Sequence, residues 1–218
     1  MARPKDQTAR RLQVEEAAER ALTRLGAETI RVADVAAEAG LSSGTVLYYY
    51  PTRTELIRLA FRRALDRFVD ERRRAVEAID DPVEQLDAML REGFPTSTDD
   101  AEVVPLYTGV QAIRDDPELA ELVRRVTTRQ VALYRGILDR GAAAGVFHLA
   151  GPSTLLAHTL VALEDAYGLY AVGSGFPVDD GYRLTRQFAE IAVGRSLGPR
   201  GSRRGGSTGP PRRSDRRP

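Results

Sequence analysis

The 218-residue sequence predicts an all-α fold of about nine helices, in which an N-terminal three-helix unit precedes a larger helical domain. Apolar residues recur at helical spacing through most of the chain, and no stretch alternates apolar and polar residues between turn residues as a strand would. Glycines and Asp-Pro pairs interrupt this pattern at intervals that match helix ends. These observations predict a domain over 1–52, a second helical domain over 53–197 and a tail over 198–218.

The composition is that of a soluble globular protein, with 42% hydrophobic residues, 29% charged residues and no cysteine. No apolar run approaches the ~20 residues that cross a bilayer, so no membrane partner is expected. The charged first residues, MARPKDQTARR, are not followed by the apolar segment of a signal peptide, and we expect a cytoplasmic protein.

The formal net charge of +1 hides an uneven distribution. Residues 198–218 contain seven arginines against one aspartate, many Gly, Pro and Ser residues, and no large apolar residue. Such a composition predicts disorder, because it offers nothing to bury. Two interpretations remain open: a solvated extension without a dedicated role, and a non-specific contact with a polyanion.

The first three helices have the spacing of a helix-turn-helix DNA-binding domain. A first apolar stripe is followed by a second over Val32–Ala39, which ends at Gly40, a residue that enters a left-handed turn at little cost. Ser42 is placed to cap a third helix, which ends before Pro51 because proline disfavours helical geometry at the preceding residue. The recognition helix is therefore predicted from about Ser43 to Tyr49.

Two faces are expected on this helix. Val46 and Tyr50 are four residues apart and, with Leu47 flanking them, are predicted to pack inward. The opposite face presents small residues, hydroxyls and phenols, which are Ser43, Gly44, Thr45, Tyr48 and Tyr49. Small residues allow close approach to a DNA groove, and hydroxyls can meet phosphates or base edges. The alternative is an aromatic cluster that only closes a helical core, and we expect that role for Tyr50.

The segment TRTE at 52–55 predicts a capping box that opens a long fourth helix. Arg53 would lie in its first turn, where the helix dipole disfavours positive charge. A phosphate held jointly by Arg53 and the free N–H groups of the helix would account for this arginine. The alternative is a surface arginine that points to solvent.

Residues 10–61 resemble the DNA-binding domain of tetracycline-repressor-type (TetR-family) transcriptional regulators. The motifs that carry the resemblance are Ala36, AGLSSGT at 39–45, YYYP at 48–51, Arg53, Glu55 and Leu56. The resemblance implies a domain that binds operator DNA as a dimer, and a C-terminal helical domain whose small-molecule ligand releases the DNA. It also implies that Thr45, Tyr48 and Tyr49 face DNA, with Arg53 where family members usually have a phosphate-binding lysine.

Two places depart from the family pattern. Leu47 stands where the recognition helix usually has its first aromatic residue, which changes the packing. Ile30 and Arg31 stand where a pair of threonines is common, so the second helix is expected to lack a good N-cap. Arg31 is itself placed to reach a phosphate.

The rest of the chain predicts the helices of a regulatory domain, with Asp as N-cap and Pro in the first turn at 81–82 and 116–117. The predicted ranges are 53–79, from 81 onward, 101–114, 116–145, 152–173 and 180–197. Three adjacent arginines, Arg72, Arg73 and Arg74, are interpreted as a solvated helix face.

The helix over 152–173 is apolar on most sides, which predicts that it is covered on most sides. We expect its own domain to cover one face and a second copy of the chain to cover the other. The residues of the last helix that would complete this homodimer interface are Phe188, Ile191, Ala192 and Val193. The alternative is a helix buried inside one large domain.

Polar and aromatic residues within the apolar helices are candidates for contact with a small-molecule effector. They are Tyr107, Gln111, Tyr134, His158, Glu164 and Tyr167. Each has a simpler interpretation, since a buried Tyr or His is usually part of a hydrogen-bonded core and Glu164 would suit the surface. Residues 160–175 loosely resemble family members with quaternary-amine or amphipathic ligands, which does not identify the effector.

No Walker loop, dinucleotide-binding glycine motif or nucleophile elbow occurs in the sequence, so no enzymatic activity and no cofactor are predicted. His158 and Asp165 are seven residues apart, a poor spacing for metal ligands, and no metal site is predicted. The expected function is that of a homodimeric, ligand-responsive repressor that binds a palindromic operator. The alternative is an all-helical interaction protein without a DNA role.

Overall fold

The computed structural model describes residues 4–97 and 116–198, and within these ranges it contains eight α-helices and no strand. In chain order the helices are α1 Pro4–Leu25, α2 Val32–Ala39, α3 Ser43–Tyr49, α4 Arg53–Glu77, α5 Pro82–Glu92, α6 Pro117–Ala143, α7 Ser153–Ser174 and α8 Val178–Val193. None of these helices is long and apolar enough to span a lipid bilayer. The all-α class predicted from the sequence is confirmed.

Most helix ends lie close to their predicted positions, and α3 has the predicted bounds. The last helix begins and ends earlier than predicted, because it starts after Pro177 and stops at Gly194, whose φ of 63° is left-handed. The helix predicted over 101–114 lies outside the described residues, and so does the tail beyond residue 198.

The turn of the helix-turn-helix unit depends on a glycine and a serine cap. Gly40 adopts a left-handed φ of 64°, and the N–H of Leu41 returns to the Ala36 carbonyl at 2.9 Å, which ends α2. Ser42 Oγ then accepts from the N–H of Thr45 at 3.1 Å and begins α3. The direction of the chain therefore changes within three residues, as the sequence predicts.

Two hydrophobic cores fill the described part of the molecule. The first joins α1, α2 and α3 to most of α4 and to the first turns of α6. The second joins the end of α4 to α5, the rest of α6, α7 and α8. Both α4 and α6 therefore run through the two cores: Val69 and Val126 lie in the first, whereas Val76 and Tyr134 lie in the second.

Ion pairs hold α1 against α4 at the edge of the first core. The Glu19 carboxylate accepts from Arg63 Nε at 3.2 Å and from Arg67 Nε at 2.6 Å, and Glu15 accepts from Arg63 Nη1 at 3.3 Å. A single exposed ion pair contributes little, but these four charges are partly buried and form a network. The N-terminal helices are thus fixed to α4, the helix that enters the second core.

Candidate functional site

The exposed face of α3 consists of Ser43, Gly44, Leu47 and Tyr48. These residues form two pairs one turn apart and therefore share one side of the helix. Tyr48 is the most exposed large side chain among them, with 71% of its surface accessible. Because Val46 on the opposite side is fully buried, α3 is held against the first core while this face stays open.

The structure corrects the predicted orientation of Leu47 and shows that Thr45 and Tyr49 are less exposed than predicted. Leu47, predicted to flank the inward side, is 39% exposed, and that prediction is wrong. Each helical residue turns by about 100°, so Leu47 points well away from the inward Val46. Thr45 and Tyr49 are half-buried at the edge of the exposed face. Tyr49 packs on the first core, and the Thr45 hydroxyl lies 2.9 Å from Ser42 Oγ.

Tyr50 is confirmed as a core residue, with 7% of its surface accessible. Its hydroxyl donates to Glu15 Oε1 at 2.5 Å and accepts from Arg11 Nε at 3.1 Å, which ties the end of α3 to α1. Burial and then the bond to Glu15 raise the pKa of this phenol, so it remains a proton donor. The adjacent tyrosines thus separate into a buried Tyr50, a half-buried Tyr49 and an exposed Tyr48.

Arg53 hydrogen-bonds the turn between α1 and α2. Its Nε donates to the Ile30 carbonyl at 2.8 Å, and its Nη2 donates to the carbonyls of Ala27 and Glu28 at 2.7 and 2.9 Å. The rigid fork of a guanidinium can reach all three carbonyls at once, whereas a lysine offers a single ammonium. Arg53 therefore fixes the start of α4 to this turn, a structural role that the sequence does not reveal. Its phosphate contact stays a prediction.

Arg31 is exposed at the start of α2. Its side chain has no acceptor atom and cannot cap the helix, as expected from the missing threonine. Asp34 compensates in part, because its Oδ2 accepts from the backbone N–H of Arg31 at 2.8 Å. The Arg31 guanidinium is therefore left for a contact outside the helix, next to Ile30, whose carbonyl accepts from Arg53 at the start of α4.

Arg72 is buried, with 1% of its surface accessible, so the prediction of a solvated face is wrong for this residue. Its Nη2 donates to both carboxylate oxygens of Glu164, at 2.8 and 3.0 Å, and to the Met89 carbonyl at 2.8 Å. Its Nη1 donates to Gln130 Oε1. These contacts join α4 to α5, α6 and α7. The spacing 65, 69, 72, 76 along the buried side of α4 is the signal that places Arg72 inward.

Glu164, for which a surface position was the simpler expectation, has only 2% of its surface accessible. Burial raises its pKa to about 7, although Arg72 and the Tyr134 hydroxyl that donates to Oε1 both lower it. Burial likewise raises the pKa of Tyr134 well above its usual value. Gly93 leaves room for this carboxylate, because a Cβ there would lie 2.1 Å from Glu164 Oε1. A buried polar cluster is thus formed by Arg72, Gln130, Tyr134 and Glu164.

Two other effector candidates lie among the described residues, and neither joins the buried polar cluster. His158 is exposed on α7, and Tyr167 is half-buried, with its ring stacked on Phe176 at 5.5 Å between centroids. The structure thus brings together two predicted candidates, Tyr134 and Glu164. The remaining two effector candidates, Tyr107 and Gln111, lie outside the described residues.

The outer side of α7 and α8 exposes large apolar side chains. Leu155 and Tyr170 of α7 are 61% and 51% exposed, and Ile191 of α8 is 73% exposed. Ala192 and Val193, by contrast, are buried within the chain, so their assignment to an interface between copies is wrong. The helical period turns Ala192 by about 100° and Val193 by about 200° away from Ile191.

A short third helix, braced by two other helices and followed by a long helix that enters a second hydrophobic core, has the arrangement of a helix-turn-helix domain. Residues 16–60 match the sequence profile of the family "Bacterial regulatory proteins, tetR family". The N-terminal domain is therefore a TetR-family domain, and the resemblance inferred from the sequence is confirmed.

Two relatives match part of the chain. The transcriptional repressor LfrR of Mycolicibacterium smegmatis is 38% identical over 93 residues, which cover 42% of this chain and 47% of LfrR. The transcriptional regulator BetI of Stenotrophomonas maltophilia is 32% identical over 117 residues, which cover 53% of this chain and 60% of BetI. The matches thus span about half the length of these relatives.

Solved structures match the fold over most of the chain. A TetR transcription regulator from Haloarcula marismortui has a TM-score of 0.74 at 20% identity and covers 85% of this chain and 99% of its own. A regulator from Saccharomonospora viridis in complex with choline has a TM-score of 0.70 at 24% identity, with 85% and 98% coverage. FadR from Bacillus subtilis in complex with stearoyl-CoA has a TM-score of 0.63 at 18% identity, with 84% and 97% coverage.

Proposed function

We propose that this protein is a TetR-type transcriptional repressor, which binds a palindromic operator as a homodimer and is released by a small-molecule effector. The observation that carries the proposal is the exposed face of α3, a capped helix held on a core by Val46 and Tyr50 with its other side open. A helix presented in this way can enter the major groove. The division of the chain at 52/53 and a cytoplasmic location accord with this function.

The contacts with DNA divide into two kinds. Ser43, Gly44 and Tyr48 would lie in the groove or at its edge, with Thr45 and Tyr49 beside them. Arg31 and Arg53, at the starts of α2 and α4, would hold phosphates on either side. Phosphate contacts set position and salt dependence, whereas residues in the groove set sequence preference.

The dimer interface would be the outer side of α7 and α8. Leu155, Tyr170 and Ile191 are exposed there, and large apolar side chains that are exposed together favour an interface between proteins. A second copy of the chain supplies what DNA recognition requires, because one recognition helix reads only a few base pairs. Two such helices, about one turn of DNA apart, read a palindrome.

The effector would bind in the domain formed by α4 to α8. Choline and stearoyl-CoA, found in two structures of this fold, differ so widely that the fold does not select a ligand class. Tyr134, Glu164 and Tyr167 remain candidates for contact with it. An effector that binds better to a conformation with wrongly spaced recognition helices would release the operator by shifting the population.

Selection of fragments of the organism's own genome on the purified full-length protein tests the proposal. We expect enrichment of a palindrome, with a site near the protein's own gene. An Arg31→Gln variant should bind the recovered duplex more weakly and with a smaller dependence on salt, because one phosphate contact is lost. Failure to enrich any sequence would contradict the proposal and favour the interaction protein without a DNA role.

A further inference from the structure

Leu47 has the one aliphatic side chain on the exposed face of α3. An exposed leucine by itself needs no explanation, since much of any protein surface is apolar. Leu47, however, lies in the middle of the face, one turn after Ser43 and beside Tyr48, with 39% of its surface accessible. The core beneath is closed by Val46, which is fully buried, so core packing does not account for the outward position of Leu47.

Gly44 leaves room for a partner to approach this face closely. A Cβ at Gly44 would meet nothing nearer than Ser42 Oγ at 3.8 Å, and its backbone is helical, so the fold would accept alanine there. Glycine inside a helix lowers stability relative to alanine, and the packing gives no reason for it. A small residue one turn before Leu47 does allow α3 to come close to the surface of a partner. The Leu47 side chain, which extends further from the helix, would then contact that surface.

The floor of the major groove offers Leu47 one matching chemical group. Base edges there present hydrogen-bond donors and acceptors, which an aliphatic side chain cannot pair, and the C5 methyl of thymine, which it can cover. We propose that Leu47 reads one thymine in each operator half-site through contact with this methyl group. The inference rests on the proposed function and makes Leu47 a specificity-determining residue within it.

Selection from a pool of random duplexes, with the full-length wild-type protein and with Leu47→Ala, provides the first test. The wild type should enrich a palindrome that requires thymine at one position of each half-site, and Leu47→Ala should lose that requirement while it keeps the other positions. Leu12→Ala is the matched control, because Leu12 is 46% exposed on α1 and should leave every preference unchanged. A Leu47→Ala variant that requires the same thymine would overturn the inference.

Deoxyuridine, which lacks only the C5 methyl, supplies the second test. Replacing that thymine by deoxyuridine should weaken wild-type binding roughly fourfold per half-site, as expected for one methyl group returned to water. The same replacement should leave Leu47→Ala binding unchanged, because the methyl has then lost its partner.

The outcomes separate the two claims. Each thymine of the selected operator can be replaced by deoxyuridine, one at a time. If none of these replacements weakens binding, the role of Leu47 is overturned but DNA binding is not. A pool from which nothing is enriched would overturn the proposed function, and the role of Leu47 with it.

Discussion

Arg72 of α4 and Glu164 of α7 form an ion pair that solvent does not reach. The guanidinium Nη2 lies 2.8 and 3.0 Å from the two carboxylate oxygens, and the side chains are 1% and 2% exposed. A buried pair of this kind adds little net stability compared with apolar residues, but removal of one side chain leaves the other buried without its hydrogen bonds, which is strongly unfavourable. The pair therefore makes the packing of α4 against α7 dependent on both residues together.

Removal of either side chain should destabilise the protein. Glu164→Leu should lower the free energy of unfolding by about 3–5 kcal/mol, because it removes both oxygens that accept from the buried Arg72 guanidinium. The double variant Arg72→Met with Glu164→Leu should lose less than Glu164→Leu alone, since no charge is then left behind. Urea unfolding of the wild type, both single variants and the double variant measures these differences. Additive losses in the double variant would show that the two residues do not act as a pair.

Glu164 should make stability depend on pH in a defined direction. Its pKa in the folded protein, about 7, lies above the ordinary value of 4.5, so between these values the folded state holds the proton more tightly than the unfolded state. The free energy of unfolding should therefore fall as pH rises from 4.5 to about 7, and this contribution should be constant outside that window. Subtraction of the profile of Glu164→Gln, which does not titrate, isolates the effect. A difference profile that is flat or rises across this window would contradict the raised pKa.

Gly93→Ala should disturb the buried polar cluster directly. The added Cβ would lie 2.1 Å from Glu164 Oε1 and 2.8 Å from Arg72 Nη2, so the ion pair has to shift. We expect a loss of about 1–3 kcal/mol in the free energy of unfolding, as for other overpacked cores. Gly173→Ala, near the end of α7, is the control: nothing lies within 4 Å of its added Cβ, and we expect no loss of stability. Equal effects of the two substitutions would be evidence against the crowding at Gly93.

Arg53→Lys separates the two roles of Arg53. A lysine keeps the positive charge but cannot bond the Ile30, Ala27 and Glu28 carbonyls together, so stability should fall by about 1 kcal/mol. Operator affinity should fall as well, because the turn before Arg31 is no longer fixed, while the slope of affinity against salt stays the same. Thermal unfolding and fluorescence anisotropy at several salt concentrations provide the readouts. Full retention of stability and affinity by Arg53→Lys would leave Arg53 with the phosphate contact alone.

Ile191→Asp should dissociate the proposed homodimer. The substitution places a charge at Ile191, the most exposed of the large apolar side chains on α7 and α8, where a second copy would have to bury it. Sedimentation velocity at micromolar concentration should show a dimer for the wild type and a monomer for the variant, with operator affinity strongly reduced. Leu12→Asp, a matched exposed leucine on α1, should remain dimeric. A wild-type protein that sediments as a monomer would end the dimer proposal.

Helix ends could be predicted because they depend on local chemistry. The φ of Gly40 and the caps of Ser42, Thr52 and Asp81 involve residues at most three or four positions away, and their effect hardly depends on the rest of the fold. The bounds of the recognition helix followed from these signals together with Pro51.

Orientation within a helix was harder to predict, because it depends on what lies across the core. Leu47 and Val46 are both apolar, and only the position of α1 and α2 decides which of them is covered. Arg72 was assigned to solvent on account of its charged neighbours, although it shares the buried side of α4 with Val69 and Val76. Its partner Glu164 lies 92 residues further along the chain, a distance that no local pattern bridges.

The passage of α4 and α6 through both hydrophobic cores has a thermodynamic consequence. If either core unfolded, one end of α4 and one end of α6 would lose its packing. The other core contains the remaining parts of the same two helices and would be weakened as well. The helices of the two cores are therefore expected to unfold in a single cooperative transition, with one heat-absorption peak and the same midpoint for every probe. A change in the packing of the second core then alters the stability of the N-terminal helices as well, because α4 and α6 continue without a break from one core into the other.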